Sequence, residues 1–348
     1  MYHQKGNYDK ALEYFDIALS IRKANLGENH QDVARLYNNI ASVYKNQSNY
    51  NKALENYKKA LSIRLTTLGD NHPDVAKIYN NIGELFYHQN NIEQALYYFG
   101  EALNLFKNTL GKKHPYVATC YNNLGAAYDK IGNYVESMDY YQNALNIQTV
   151  IFGNDHLEVA QSYNNIGFLY ENQGNYEQAL SYYKKALSIQ ITVMGENHPD
   201  VAIYYGNIGS IYAKQGNYDK ALEYYWKALT IRKIVFGESN PKVASLYYAI
   251  GDVYFMQNNY IQAMEYYRKT LSIRLEFYGT KHQKVANVYE DIAKVYYLQG
   301  DQIKALDNYQ ICYDIRKAIL GENHSETLLV NKKIEEIQAK LAEQENEK

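Results

Sequence analysis

Proline is nearly missing from this chain, at 4 of 348 residues, and there are only two cysteines and one tryptophan. Two cysteines cannot build a disulfide scaffold, so the expected setting is reducing and intracellular, and the expected location cytoplasmic. No apolar run approaches the ~18 residues of a membrane helix, and no basic-then-apolar signal segment opens the chain. Charge of one sign is lacking too: 36 Lys plus Arg oppose 38 Asp plus Glu. Such a balance argues against a protein whose task is to neutralise a phosphate backbone. The sequence has no G-x-x-x-x-G-K-[ST] phosphate loop, no G-x-G-x-x-G after a strand and no G-x-S-x-G elbow. Its acidic residues read as scattered over solvated helix faces, not paired across a cleft. Neither a catalytic group nor a cofactor is expected.

What is present is a period. Gly27, Gly69, Gly111, Gly153, Gly195, Gly237, Gly279 and Gly321 are spaced by 42 each time. Three residues after each comes His30, His72, His114, His156, His198, Asn240, His282 or His324, and all four prolines take the next position. A strict register of this kind is the signature of a tandem array. Each unit reads as two helices. In the first, Ala76, Tyr79, Ile82, Gly83 and Phe86 recur at steps of three and four; in the second, Ala95, Leu96, Phe99, Ala102, Leu103 and Phe106 do so. Between them Asn7, Asn49, Asn91, Asn133, Asn175, Asn217, Asn259 and Asp301 offer side-chain acceptors to the second helix. Gly132, Gly174, Gly216 and Gly300 suit the left-handed residue that ends the first helix. Proline then starts the next first helix, where a missing N–H costs nothing.

The unit resembles the tetratricopeptide repeat: Tyr79, Ile82, Gly83, Phe86, Ala95, Phe99 and Ala102 stand at that family's signature positions. The 42-residue length and the Leu26–Gly27–Glu28–Asn29–His30 wording are similar to the kinesin light chain and nephrocystin subgroup. The resemblance implies an all-α fold, a right-handed α-solenoid of antiparallel helix pairs. It divides the chain into a partial repeat over 1–30, seven repeats over 31–324, and a capping helix with a charged tail over 325–348. Tyr2 aligns with Tyr44, so the chain opens inside a first helix, and the helix after it is expected to expose Leu12, Phe15, Leu19 and Ile21. That motivates the expectation of a longer protein, or of a start at an internal Met. From Ser325 the pattern decays, yet Val330, Ile334, Ile337 and Leu341 keep one apolar edge.

The tyrosine excess, 40 residues, is positional. Rows such as Phe15, Tyr57, Phe99, Tyr141, Tyr183, Tyr225, Tyr267 and Tyr309 supply the bulk that wedges helices together, against rows of Ala and Gly. The row of seven histidines reads as one of helix-start residues bonding their own loops. Helices packing about 8–10 Å apart hold neighbouring histidines too far from one another to share a zinc ion. Cys120 and Cys312 lie four repeats apart at packed positions and read as inert.

Function is therefore expected on a surface, as a non-enzymatic scaffold binding extended peptide segments of partner proteins. Asn39, Asn81, Asn123, Asn165 and Asn207 form one mid-helix row, with Asn38, Asn80, Asn122 and Asn164 beside it. Asparagine is a middling helix former, so these positions call for a reason. The amides can bond across neighbouring helices, or serve as a ladder for a peptide backbone. The resemblance assigns the second asparagine of each pair to the groove that holds cargo peptides. Arg35 and Lys77 make the N-terminal end basic; Phe168 and Phe255, with Ile203, Tyr248, Met256 and Tyr297, make the later part more apolar. An acidic segment with an aromatic anchor fits both. Arg35–Asn39 and Lys77–Asn81 match part of the family's carboxylate clamp, but Thr119–Asn123 supplies no second basic pair. Nucleic acid, membrane insertion and a small-molecule substrate are not expected. The alternative is the sensing or recruiting array of a larger enzyme or NTPase whose catalytic domain lies upstream of Met1.

Overall fold

The computed structural model describes residues 8–346, all of whose regular structure is helical. Met1, Tyr2 and Asn7 lie outside the described residues. Helix α1 (Tyr8–Leu26) is followed by α2 (Gln31–Asn46), α3 (Tyr50–Leu68), α4 (Pro73–His88), α5 (Ile92–Leu110), α6 (Pro115–Lys130), α7 (Tyr134–Phe152) and α8 (Leu157–Asn172). Then come α9 (Tyr176–Met194), α10 (Val201–Lys214), α11 (Tyr218–Phe236), α12 (Pro241–Met256), α13 (Tyr260–Tyr278), α14 (Gln283–Leu298), α15 (Gln302–Leu320) and α16 (Ser325–Asn346). Even-numbered helices up to α14 are the first helices of the repeats and odd-numbered ones the second. The chain forms two compact units, Met1–Tyr182 and Tyr183–Lys348, each an α-solenoid of stacked helices.

The punctuation residues explain the helix ends. In all seven cases the histidine Nδ1 accepts the backbone N–H two residues on, at 3.0–3.3 Å, and Asn240 Oδ1 does the same at 2.9 Å. Histidine thus does the work of an N-cap, with its proton on Nε2. The glycine row has φ between 74° and 93° with ψ near 180° (163° at Gly111, 175° at Gly153), a region in effect closed to side chains, so no repeat departs from glycine there. Positive φ at the end of the first helix is less exclusive: Ser48, Asn90 and Asn258 replace glycine. Asn49, Asn91, Asn175, Asn217, Asn259 and Asp301 cap their second helices as expected. Asn133 is the exception, making no side-chain cap bond.

Within a repeat, first and second helices approach as closely as glycine permits. A Cβ on Gly83 would lie 2.6 Å from the Phe99 ring, on Gly125 2.7 Å from Tyr141, and on Gly251 2.8 Å from Tyr267. Those rings are buried, and four second helices add an aromatic that stacks on the first: Tyr98 on Phe86, Tyr140 on Tyr128, Tyr224 on Tyr212 and Tyr266 on Tyr254, at centroid distances of 5.4–5.6 Å. Between repeats, one column of the second helix reaches ten residues forward to the start of the next first helix. Arg64 pairs with Asp74 at 3.0 Å; Arg232 and Arg274 donate to the carbonyls of Lys242 and Lys284 at 2.9 and 2.8 Å; Phe106 stacks on Tyr116.

At the N-terminal end, of the four apolar residues expected to be exposed on α1 only Ile21 is, at 54%. Leu19 packs on the α2–α4 cluster, Leu12 and Phe15 are half-buried, and Tyr14 and Ile17 are exposed instead. At the other end α16 buries Val330, Ile334 and Ile337. The histidine caps give a direct test: His72→Ala will lower stability by about 1 kcal/mol in a urea melt, whereas His72→Asn, the residue already found at 240, will leave it unchanged. Equal effects of the two would show that the Nδ1 bond contributes nothing.

Candidate functional site

The asparagine rows lie on the first helices, and in the first unit they are wired together. Asn81 Nδ2 donates to Asn38 Oδ1 and Asn123 Nδ2 to Asn80 Oδ1, each at 2.8 Å. The second asparagine of one helix thus bonds the first asparagine of the helix before. Asn80 is buried and also donates to Glu84 Oε1 at 3.0 Å, and Glu84 pairs with Lys45 at 2.7 Å. Ser162 Oγ adds a longer contact to Asn122 Oδ1 at 3.4 Å. Asn165 accepts from Gln161 of its own helix at 2.9 Å, and Asn39 makes no hydrogen bond among the described residues. Each bonded amide of Asn81 and Asn123 keeps an oxygen and one N–H outside these rungs.

At the N-terminal end of this wall α2, α3 and α4 enclose a recess of about 440 Å³, lined by Arg35, Asn38, Arg64, Asp74, Lys77 and Asn81 together with Ala34 and Ile78. Asp74 holds both Arg64 and Lys77 at 3.0 Å, while Arg35 pairs with Asp32 at 3.1 Å. Burial would raise the Asp74 carboxyl, but the two cations outweigh it and leave it below its ordinary value. Three cations therefore line a recess with one carboxylate. Lys77 also lies 4.9 Å from the Tyr116 ring.

The second unit fills the same columns with different chemistry. Tyr248 donates to Asp291 in the slot of an asparagine rung; Lys294 bridges Asp291 at 2.9 Å and Glu290 at 3.0 Å; Arg316 grips Glu290 at 2.7 Å. The Arg274 guanidinium lies 4.5 Å from the Tyr248 ring centroid. Asp252 accepts the Tyr267 hydroxyl at 2.7 Å and has no cationic partner within bonding distance among the described residues. Burial pushes its carboxyl up to about 7; the Tyr267 bond opposes this, the Asp291 charge adds to it, and Arg274 and Lys294 oppose it. These pairs correct the expectation that the acidic residues all lie on solvated helix faces: Glu84, Asp252, Glu290 and Asp291 are partly buried and bonded within the wall.

Of the expected site residues, Arg35, Lys77 and Asn81 share one recess, with Asn123 and Asn165 on the following first helices. Phe168 on α8 is 49% exposed. Asn207 and Phe255 belong to the second unit, where Phe255 packs against the Ala263, Met264 and Tyr267 cluster. Arg64 was not anticipated. It sits on a second helix, off the asparagine rows, although its ten-residue spacing to Asp74 is visible in the sequence. Cys120 and Cys312 are buried, and burial pushes both thiols up to about 12. Among the described residues no group of three or more His, Cys, Asp and Glu could hold a metal, and no helix is long and apolar enough to cross a membrane.

A family model described as a tetratricopeptide repeat matches residues 1–66, 32–108, 74–149, 130–191, 158–234, 200–276 and 242–318. Among solved structures the chain is similar to BtubC (BKLC) from P. vanneervenii, with a TM-score of 0.59 and 21% identity, covering 67% of this chain and 94% of that one. It is similar to nearly identical repeats from Podosopora anserina described as those of a kinesin light chain, at 0.51 and 16%, covering 59% and 97%. Aspartyl phosphate phosphatase F from Bacillus subtilis gives 0.63 and 18%, covering 88% and 76%. At these identities the likeness is one of fold. No curated protein matches in sequence.

The buried carboxylate carries a pH dependence. Its folded value near 7 lies above the ordinary 3.8, so the folded chain holds a proton that the unfolded chain releases. This contribution to stability is fully present below 3.8 and is lost as pH rises through 7. Urea melts between pH 5 and 8 will show wild type losing stability with rising pH by more than Asp252→Asn does; identical slopes would refute the assignment.

Proposed function

The chain belongs to the tetratricopeptide-repeat family, a family of protein-interaction scaffolds, and we propose that the first-helix wall of its first unit binds an extended, acidic segment of a partner protein. The observation that carries this is the recess lined by Arg35, Arg64, Lys77 and Asn81, in which Asp74 is the single carboxylate. A partner carboxylate arriving there finds Arg35 and Lys77 at the surface and Arg64 behind them. Exposed pairs such as Arg35–Asp32 contribute little to stability, about 0–1 kcal/mol, so exchanging their partner costs little.

Beyond the recess, the spare oxygens and N–H groups of Asn81 and Asn123 suit a main chain running along the first helices. Helices packed about 8–10 Å apart set a step near three residues of extended chain at ~3.3 Å each. Phe168, on α8 of the same unit, offers an apolar contact for an aromatic anchor. The rungs that hold the asparagines in place also keep their remaining polar atoms fixed before a ligand arrives, which lowers the ordering cost of binding. On this reading the chain is non-enzymatic and uses no cofactor: the asparagines orient, the basic residues select.

The test is a fluorescence titration with a labelled peptide carrying one tryptophan among acidic residues, and with its lysine-substituted counterpart. The acidic peptide will bind and the basic one will not. Arg35→Glu with Lys77→Glu will weaken binding roughly tenfold or more and flatten its salt dependence. Asn165→Ala, which breaks no bond between helices, will weaken binding while leaving the melt unchanged. Affinity that survives both changes would sink the proposal.

A further inference from the structure

The last two complete repeats break the surface pattern of those before them. Ile261 and Ile303 are 77% and 66% exposed, and Met256 and Leu298 are each half exposed. The positions of Ile261 and Ile303 are held earlier by Asn51, Glu93, Val135, Glu177 and Asp219. Those of Met256 and Leu298 are held by Asn46, His88, Lys130, Asn172 and Lys214. An apolar collar thus appears where the array is otherwise almost entirely polar, and a cluster of exposed apolar side chains rimmed by charge marks an interaction site.

Ile261 of this collar lines a recess of about 740 Å³ formed by α13, the end of α14 and the start of α15, with Tyr260, Met264 and Tyr296 among its walls and Glu265, Arg268, Lys269 and Lys304 around it. The cations differ in how they are satisfied. Lys269 is paired with Glu265 at 2.6 Å and Lys304 with Asp301 at 2.7 Å. Arg268 donates only to the Tyr296 hydroxyl, at 2.9 Å, and has no carboxylate partner among the described residues. Its planar fork keeps most of its donors for another group, and a carboxylate is the acceptor that fork fits best.

We propose that this recess docks a segment of a partner protein in which a carboxylate stands beside bulky apolar side chains. The apolar groups cover Ile261, Ile303 and Met264, and the carboxylate closes on Arg268. The surface lies on second helices and on the C-terminal ends of the first helices that lead into them, away from the asparagine rows, so the inference does not rest on the amide wall. The charge pattern also separates a protein segment from a membrane. Attraction to anionic lipid takes clusters of roughly four to eight basic residues, whereas one cation here is in excess of its local carboxylates.

The test uses the full chain and short labelled peptides that alternate glutamate with leucine and phenylalanine, with lysine replacing glutamate in the control. Anisotropy will show the acidic peptide binding and the control failing. Arg268→Ala and, separately, Ile261→Asp will each weaken binding roughly tenfold or more. Both side chains are on the surface, so circular dichroism and melting will stay as in wild type. The same titration in the Arg35→Glu, Lys77→Glu chain, whose first-helix recess is disabled, will still show the Arg268- and Ile261-dependent binding, which keeps this result distinct from that of the first-helix wall. Equal binding of the lysine control, insensitivity to both substitutions, or no binding of the acidic peptide overturns the proposal. So does capture of phosphatidylserine vesicles, lost in Arg268→Ala, without peptide binding.

Discussion

One contact recurs through both units and sets the geometry of everything else: a buried aromatic ring of the second helix pressed onto a glycine or alanine of the first. At Gly83, Gly125, Gly209 and Gly251 there is no room for even a methyl group before the facing ring. The backbone approach at these points is therefore fixed by the ring's thickness. Ala41 and Ala293 keep the same place in the clusters of Tyr57 and Tyr309. Each such ring contributes on the order of 1.5–3 kcal/mol by leaving water, and repetition along the chain makes it the main term in the stability of a stack whose elements meet only their neighbours.

With that spacing set, the polar contacts between repeats become possible. The amide rungs from Asn81 to Asn38 and from Asn123 to Asn80 close at 2.8 Å only because consecutive first helices are held in register. The ten-residue staple from Arg64 to Asp74, or from Arg274 to the Lys284 carbonyl, ties the end of one repeat to the start of the next. In the second unit the same positions hold Tyr248, Glu290 and Asp291, and the rungs become ionic. One scaffold thus presents a neutral amide surface with a basic end in one unit and a charge-paired surface in the other. Solenoids diversify their ligands in this way, by changing surface columns while the packed columns stay constant.

The fold was almost wholly legible in the sequence, since its determinants are local and repeated eight times. A glycine forced into a conformation closed to other residues, a histidine capping the turn that follows, and apolar residues at helical spacing each act within a few positions. Two local details escaped. Asn133 has the right type and place for a cap yet makes no bond, and three left-handed positions are held by Ser48, Asn90 and Asn258. The candidate site was legible in part. Its asparagine rows and its basic end announce themselves as exceptions to helix propensity, whereas Arg64 joins Arg35 and Lys77 only across three helices.

By itself the sequence determined the repeat, its helix boundaries, its aromatic wedges and the residues free to vary, because each of these depends on neighbours close along the chain. The tertiary structure alone decided which of the varying residues are spent on the stack and which stay outside its bonds. Asn81 and Asn165 are alike in the sequence, but one is bonded to the helix before it and the other is not. Asp252 reads as one more solvated acid until burial, helped by the Asp291 charge and opposed by the Tyr267 bond, raises its carboxyl to about 7. Hydrogen bonding and desolvation are set by distances between helices, and those distances come into being only when the rings have closed on the glycines.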